Sequence, residues 1–548
     1  MSKQPYLPFY QAFEVDQLRE ALPGADLDAG FNVCDLICDR WAQDSERVAL
    51  NYEGVSRPGE SWTFARLQQA SARFANLLQQ QGIGKGDRVA ALLPRTPELL
   101  VAVLGTLRAG AVYQPLFTAF GPGAIEYRLD KADTRLVVTD DANRFKLDDV
   151  QNCPPIVRVS SGGADSHGDL DFHTQMQAQP DRFTPVTIAA DDPFLQMFTS
   201  GTVGKSKGVA VPARAVLSFY VYMRYAIDLQ PDDRYWNVAD PGWAYGLYYA
   251  VVGPLLLGAT THFNENGFTP ESTYAMIRRY GITNLAAAPT AYRLLMANDQ
   301  VLADGETLAL RVASSAGEAL NPEVVNWVKR RLGCPVKDHY GQTETGMTCC
   351  NHHVLEHPVR VGSMGYSLPG HRVVALDGDF NEVGEGETGQ LAVDVDQSPL
   401  FFFPGYTWAE KNPFHDRYYL TGDVVISHGD GSFSFTGRDD DIITTAGYRV
   451  GPADVESTLL EHPAVAESGV VGKPDSSRGS VIKAYVVTRP QFDADETLAD
   501  ELKELVRNRL STHAFPREVE FVQELPKTPS GKIQRFILRN KAREEADR

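Results

Sequence analysis

From about Trp62 to Pro289, and in further pairs beyond, short apolar runs alternate with stretches whose apolar positions recur every three or four residues. The short runs are typical of buried strands, and the periodic stretches are typical of amphipathic helices. Their alternation predicts a doubly wound α/β fold, a mostly parallel sheet covered by helices. The predicted strands are 87–93, 134–139, 284–288 and 310–314, and the predicted helices are 99–109, 290–298 and 322–332.

The pattern changes twice toward the C-terminus. Residues 359–435 are short strands between Gly-rich turns, which predicts a small β subdomain. After Gly437 the pattern becomes compact α+β, with predicted helices at 452–461 and 496–510 and strands at 466–471 and 481–487. We therefore predict a large N-terminal domain of several subdomains (1–437), a hinge (438–441) and a small mobile C-terminal domain (442–548).

Composition limits the classes of function. The net charge of -19 argues against binding to nucleic acid or to an anionic membrane surface, because both need clustered Lys and Arg. The apolar stretch 245–260 is interrupted by Gly253 and Pro254 and is shorter than the ~20 residues that span a bilayer, so no stable membrane insertion is expected. Residues 1–10 lack a secretory pattern, and the six cysteines form no Cys-x-x-Cys pair. We expect a reduced cytoplasmic protein, a monomer or a homodimer.

The strongest chemical signal follows the predicted strand 194–198. Hydroxyl residues, glycines and lysines crowd into ten positions, which predicts a flexible loop that surrounds phosphate oxygens with backbone N–H groups and Lys charge. Thr199 occupies the place where a Walker A motif needs glycine, so P-loop NTPases are disfavoured. A plain solvated loop is the alternative. The candidate phosphate-binding residues are Thr199, Ser200, Gly201, Thr202, Gly204, Lys205 and Lys207.

Four further motifs follow in order, and with the loop they identify a resemblance. The chain resembles the adenylate-forming superfamily of acyl-CoA synthetases, adenylation domains and luciferases over about residues 31–539. The resemblance implies that ATP and a small carboxylic acid form an acyl-adenylate and pyrophosphate, and that coenzyme A then takes the acyl group. The motifs are Tyr340-Gly341-Gln342-Thr343-Glu344, Tyr419-Leu420-Thr421-Gly422-Asp423, Gly437-Arg438-Asp439-Asp440-Asp441 and Pro526-Lys527-Thr528-Pro529-Ser530-Gly531-Lys532.

The resemblance also implies residue roles around ATP. Asp423 would accept the ribose hydroxyls, and Glu344 would bind the Mg²⁺ that accompanies ATP, since a hard carboxylate suits that cation. Thr199 and Thr343 would supply hydroxyls near the α-phosphate. Arg438 and Arg449 would contact ribose and phosphate, with a surface ion pair as the alternative. The segments implied to enclose adenine are Gly317-Glu318-Ala319 and Asp338-His339-Tyr340, and Gly341 and Gln342 are further candidates for binding the cofactor.

The C-terminal motifs imply the catalytic lysine and the movement. Lys532 would neutralise the substrate carboxylate and the α-phosphate as these anions approach each other. Asp440 occupies the hinge position, about which the small domain would rotate to admit coenzyme A. Ala446 and Gly447 would line the tunnel for its thiol arm. Arg507 would contact its nucleotide end, although a helix-surface arginine is an equal alternative.

The acid is predicted from the wall of its pocket. Gly341 stands where acetate-specific relatives carry a pocket-closing Trp, which predicts room for several methylenes, each stabilising by about 0.8 kcal/mol when buried. Trp243 and Tyr245 are candidate pocket walls, although buried aromatics are more often plain core. We expect a short- to medium-chain or branched fatty acid, with aromatic acids as the alternative.

Two residues depart from the pattern of the superfamily. Val203 replaces a usual Thr or Ser, and Ser206 replaces a usual Pro. The loss of one hydroxyl contact would weaken ATP binding by roughly 1 kcal/mol. A degenerate nucleotide-binding protein without catalysis therefore stays open, as does an adenylation enzyme that loads a separate carrier protein, and oxidation of the luciferase kind is a more distant alternative.

Overall fold

The computed structural model describes residues 3–55, 57–162, 168–199, 206–408, 412–439, 441–445, 448–475, 479–511, 514–528 and 531–546. A seven-stranded sheet forms the first layer, parallel except for its first pair. The helix Pro97–Arg108 is buried throughout because it packs closely with the helix Phe64–Gln80. The strands in spatial order are Lys207–Pro212, Pro193–Thr199, Val112–Pro115, Arg88–Leu92, Thr134–Asp140, Ile156–Val159 and Leu170–Asp171.

A six-stranded sheet forms the second layer, with four parallel strands followed by two antiparallel ones. Its helix Pro270–Tyr280 begins with a capping box in which the Thr269 side chain accepts from the Ser272 N–H and the Ser272 hydroxyl bonds back. The strands in spatial order are Tyr235–Asn237, Asn284–Ala287, Val312–Ala316, Val336–Gln342, Gly346–Cys350 and Tyr366–Ser367, and further helices are Pro289–Ala297 and Pro322–Trp327. The two sheets confirm the doubly wound α/β fold.

The predicted β subdomain is also present. It is an antiparallel sheet whose longest strand, Tyr418–Ser427, pairs with Phe433–Arg438 and places Asp423 opposite Arg438. The remaining strands are Val373–Leu376, Thr388–Asp394 and Phe414–His415. A three-stranded sheet, Thr261–Asn264, Val48–Glu53 and Glu60–Thr63, completes the larger part of the chain.

The C-terminal part has its own hydrophobic core. Val455, Leu459, Val486 and Leu502 are fully buried there, together with other residues of the same part of the chain. The hinge boundary stays a prediction, because Asp440 lies outside the described residues. The strands are Ile443–Thr445, Tyr448–Val450, Val465–Asp475, Gly479–Thr488 and Glu518–Phe521, and the helices are Pro452–Leu460, Glu496–Arg509 and Arg535–Ala546.

Across the described parts of the chain, the helices are too short or too polar to cross a membrane. Shorter helices cover the sheets and the N-terminal segment. They are Tyr6–Gln11, Gln17–Ala21, Val33–Ile37, Pro122–Lys131, Phe172–Gln177, Ala215–Val221, Ala244–Gly246 and Gly253–Leu256.

Candidate functional site

The candidate phosphate loop joins two paired strands. Thr199 and Lys207 lie directly opposite each other, so the loop leaves and returns at one point of the sheet. Ser206 is anchored there, because its hydroxyl accepts from Arg128 Nη2 at 3.0 Å and its carbonyl accepts from Tyr127 Oη at 2.9 Å. Burial lowers the pKa of Arg128 to about 10. Residues Ser200, Gly201, Thr202, Val203, Gly204 and Lys205 lie outside the described residues, and their role stays a prediction.

The carboxyl ends of two parallel strands bring the next candidates to the same edge. Gly317 follows the strand Val312–Ala316 with φ of +100°, a conformation that favours glycine. Glu318 beside it accepts from Arg293 Nη2 at 2.6 Å and from Thr290 Oγ1 at 2.8 Å. The Glu318 carboxylate is therefore paired within the protein, which leaves the backbone around Gly317 and Ala319 as the surface facing the site.

The strand Val336–Gln342 has some side chains in the core and others at the candidate site. Asp338 is buried and accepts from the N–H groups of Leu320 and His339, and burial raises its pKa to about 8. The His339 ring bonds Tyr222 Oη at 2.9 Å and the Asn351 carbonyl at 3.2 Å. Burial lowers the pKa of His339 to about 3, which makes it a neutral core histidine. Both ring nitrogens are bonded in the core, so any contact of His339 with adenine would come from its backbone, and that role stays a prediction.

Asp423 lies at the centre of a hydrogen-bond network. Tyr340 Oη donates to its carboxylate, Gln342 Nε2 donates to the same oxygen at 2.8 Å, and Arg438 Nη1 lies 3.4 Å from the other oxygen. Burial raises the pKa of Asp423, whereas Arg438, both hydrogen bonds and Lys532 oppose that rise. The carboxylate is thus fixed in orientation, as a ribose-binding group would need to be.

The network extends to Glu344 through two tyrosines, of which Tyr419 lies in a sequence motif and Tyr406 does not. Tyr419 Oη donates to Gln342 Oε1 at 2.9 Å, and Tyr406 Oη donates to Glu344 Oε1 at 2.7 Å. Glu344 is buried, and that burial raises its pKa while the Tyr406 hydrogen bond and the Lys207 and Arg438 charges oppose the rise. Tyr406 follows a Gly405 turn, but nothing in its local sequence indicates contact with a residue 62 positions away.

Lys532 of the small domain reaches this edge of the large domain. Its Cε lies 4.0 Å from where a Cβ on Gly317 would stand, and its charge acts on Asp423. The turn that carries it is closed by the Thr528 N–H donating to the Lys532 carbonyl at 2.7 Å and the Lys532 N–H donating to Thr528 Oγ1 at 3.0 Å. These two hydrogen bonds fix the backbone of Lys532, from which its side chain extends toward Gly317.

Most of the residues proposed for the hinge and for coenzyme A lie outside the described part of the chain. Asp440, Ala446, Gly447 and the Arg449 side chain lie outside the described residues. Arg507 lies on the helix Glu496–Arg509, where Nη1 pairs with Glu504 at 2.6 Å and the guanidinium lies 4.2 Å from the Phe515 ring centroid. Those contacts fit a helix-surface arginine, so contact with coenzyme A stays a prediction.

Aromatic side chains gather beside the predicted acyl pocket. The Trp243 ring contacts Phe117 and Phe120 with centroids 5.3 and 5.4 Å apart. Tyr245 packs edge-on against Tyr249 at 6.0 Å. Both candidate walls are half-buried, and Tyr245 lies at the margin of the main hydrophobic core.

Gly341 lies at a close approach between two strands. A Cβ on Gly341 would lie 2.2 Å from the Gly346 carbonyl oxygen and 2.6 Å from Met347 Cα. The glycine is therefore required by a close approach of the strand Gly346–Cys350, at a register shift between Tyr340 and Gly341. A side chain at this position would first meet backbone, and the role of Gly341 in pocket length stays a prediction. Thr343 adjoins this strand pair, and its carbonyl accepts from Tyr248 Oη at 2.9 Å.

Comparisons with known proteins agree with this geometry. A family model described as AMP-binding enzyme matches residues 38–406, and one described as AMP-binding enzyme C-terminal domain matches residues 454–532. Acetyl-coenzyme A synthetase of Bacillus subtilis (strain 168) is 35% identical over 94% of this chain and 90% of its own length. Acyl-coenzyme A synthetase ACSM3, mitochondrial, of Homo sapiens is 35% identical over 93% of this chain and 89% of its own length.

Solved structures extend the likeness to the whole chain. The crystal structure of Brucella canis acyl-CoA synthetase is 50% identical, covers 100% of both chains and superposes with a TM-score of 0.80. The anthranilate CoA ligase AuaEII in complex with anthranoyl-AMP is 26% identical over 96% of this chain and 100% of its own, with a TM-score of 0.88.

Proposed function

This chain belongs to the AMP-binding enzyme family, and we propose that it is an acid–thiol ligase that makes an acyl-CoA from a carboxylic acid, ATP and coenzyme A. In the first half-reaction a carboxylate oxygen attacks the α-phosphorus, and the bond from that phosphorus to the pyrophosphate oxygen breaks. In the second, the thiol sulfur of coenzyme A attacks the acyl carbon, AMP leaves, and the thiol proton is released.

One observation carries the proposal: Lys532 lies against Gly317 at the edge where Asp423 and Glu344 also lie. A nucleotide whose ribose is held by Asp423 would have its α-phosphate within reach of that ammonium. Positive charge placed where two anions must meet lowers the barrier mainly by electrostatic stabilisation and positioning. Thr199 and Lys207 lie on the flanks of the loop proposed to hold the remaining phosphates.

Mg²⁺ belongs to this proposal through Glu344. A buried carboxylate is costly when charged unless a cation compensates it, and hard oxygen ligands are those that Mg²⁺ prefers. Glu344 therefore fits a ligand for the ion that accompanies ATP. When bound, the ion would neutralise charge on the leaving pyrophosphate.

We propose fatty acids longer than acetate as substrates, with aromatic acids as the second class. The aromatic group around Trp243 offers apolar surface to either class. The second class is favoured by one further observation, the TM-score of 0.88 to an anthranilate CoA ligase.

The test is to incubate the purified protein with Mg²⁺, ATP, coenzyme A and a panel of acetate, butyrate, octanoate and benzoate, to follow pyrophosphate release, and to detect thioester and AMP by mass. We expect acyl-CoA with higher kcat/KM for butyrate to octanoate than for acetate. Pyrophosphate release without thioester would indicate a separate carrier protein as acceptor. Absence of both would contradict the proposed function.

A further inference from the structure

Tyr406 contacts two groups of opposite charge that the proposed function places around ATP. Its hydroxyl donates to Glu344 Oε1 at 2.7 Å, and Lys207 Nζ lies 4.4 Å from the centroid of its ring. The first is a hydrogen bond to a carboxylate, and the second is a cation–π contact. Tyr406 therefore contacts the Glu344 carboxylate through its hydroxyl and the Lys207 ammonium through the face of its ring.

The ring also keeps the two charges apart. Among the described residues, Lys207 and Glu344 form no ion pair with each other, although the positive charge of Lys207 opposes the rise that burial causes in the pKa of Glu344. A direct ion pair between the buried Glu344 and the half-buried Lys207 would have to be broken before either group could bind a ligand, which is costly for the buried partner. With Tyr406 between them, each keeps a defined position without neutralising the other.

The two residues after Tyr406 fix it to the base of the phosphate loop. The Thr407 N–H donates to the Gly208 carbonyl at 3.0 Å. The Trp408 ring stacks on Phe198 with centroids 5.5 Å apart and 23° between planes, and it covers Gly208, where a Cβ would come within 2.1 Å of Trp408 Cζ3. The segment 406–408 thus contacts both strands that carry the loop.

We infer that Tyr406 is a positioning residue for metal-bound ATP, aligning Glu344 toward the cation and Lys207 toward the phosphates. The inference rests on the proposed function, and it deepens it by assigning a residue outside the motifs. Tyr406 touches neither reacting atom, so its effect passes through its two partners. Removing the hydroxyl should therefore affect the metal complex of ATP more than ATP alone.

The experiment measures ATP binding to the full chain by calorimetry, once with excess Mg²⁺ and once with EDTA. Tyr406→Phe keeps the ring and loses the hydroxyl, and we expect the Kd of MgATP to rise about 10-fold, since a hydrogen bond to a charged group is lost. The Kd with EDTA should change less than about twofold. Tyr406→Leu also removes the face under Lys207 and should weaken binding in both conditions.

The matched control is Tyr280→Phe, which removes another half-buried tyrosine hydroxyl bonded to a glutamate, Glu53, at 2.5 Å. It should leave both Kd values unchanged. A double-mutant cycle with Glu344→Gln then separates positioning from a general structural effect. If Tyr406 acts through Glu344, Tyr406→Phe should weaken MgATP binding far less in the Glu344→Gln background than in the wild type.

If the wild type binds MgATP and Tyr406→Phe binds it equally well, or loses both forms of ATP equally, the positioning role is wrong while the proposed function stands. Additive effects of the two substitutions would also overturn the role. If the wild type binds no ATP, the proposed function is wrong and the role of Tyr406 falls with it.

Discussion

Lys532 and Gly317 are 215 positions apart in the sequence, yet the Lys532 Cε lies 4.0 Å from where a Gly317 Cβ would stand. The ammonium therefore faces the backbone at the end of a parallel strand, the edge where open α/β sheets bind ligands. In the proposed function this arrangement would serve the first half-reaction, because the second would need the same space for a thiol.

Lys532→Ala should lower the rate of adenylation by about 100-fold or more, because the variant lacks the ammonium that would lie between the two anions. Thioester formation from supplied acyl-adenylate should be largely kept. Pyrophosphate exchange measures the first step, and mass detection of acyl-CoA measures the second. Lys527→Ala is the control, as this nearby lysine pairs with Glu467 at 2.6 Å and should be dispensable. Equal loss of both steps would refute the division of roles.

Ser457→Ala should weaken the observed domain arrangement. Asn321 Nδ2 of the large domain donates to Ser457 Oγ of the small domain at 2.9 Å. Loss of about 1 kcal/mol would shift the arrangement up to about fivefold, slowing adenylation but not thioester formation. Ser468→Ala is the control, because the Ser468 hydroxyl donates to the Glu456 carbonyl inside the small domain. Single-turnover measurement of both half-reactions checks this, and slowing of the second alone would contradict it.

Gly341→Ala should lower activity and stability for all acids alike. The added methyl group would meet the Gly346 carbonyl at 2.2 Å, so the two strands must separate before it fits. The ratio of kcat/KM for octanoate to that for acetate should stay within about twofold while Tm falls. A selective loss of the longer acid would restore Gly341 as the group that sets pocket length. Gly378→Ala, with open space around it, serves as the control.

Asp338→Asn should make the protein relatively more stable as pH rises. Burial raises the folded-state pKa of Asp338 from 3.8 to about 8. Between these values the unfolded chain releases the proton and the folded chain keeps it, so the free energy of unfolding of the wild type falls with rising pH. Asparagine does not titrate. The Tm of the variant minus that of the wild type should therefore increase from pH 4 to pH 8.

The control for Asp338 is Asp394→Asn, another fully buried aspartate, which pairs with Arg372 at 2.7 Å. That variant should be destabilised, because the substitution removes a buried charge that pairs with Arg372, which keeps only its second partner, Glu382 at 2.7 Å. Thermal unfolding over the pH series measures both differences. A Tm difference for Asp338→Asn that stays flat from pH 4 to pH 8 would mean that Asp338 is ionised in the folded protein.

The fold class and the motifs could be predicted from the amino-acid sequence, because both depend on local information. Periodicity gave strands such as Thr134–Asp140 nearly to the residue, and the spacing of glycines, lysines and carboxylates marked Lys207, Glu344, Asp423 and Lys532. These signals can be recognised in the sequence because a strand edge or a turn needs particular residue types at short separations.

The side chains that those residues contact could not be predicted from the sequence and became known from the three-dimensional structure. Tyr406 and Glu344 are 62 positions apart, and no local pattern encodes their hydrogen bond. His339 faces the core although its neighbour Tyr340 faces Asp423, and Gly341 is a close approach between strands where the sequence suggested an opening. Such relations depend on strand register and on which face each residue presents, and packing across distant segments fixes both.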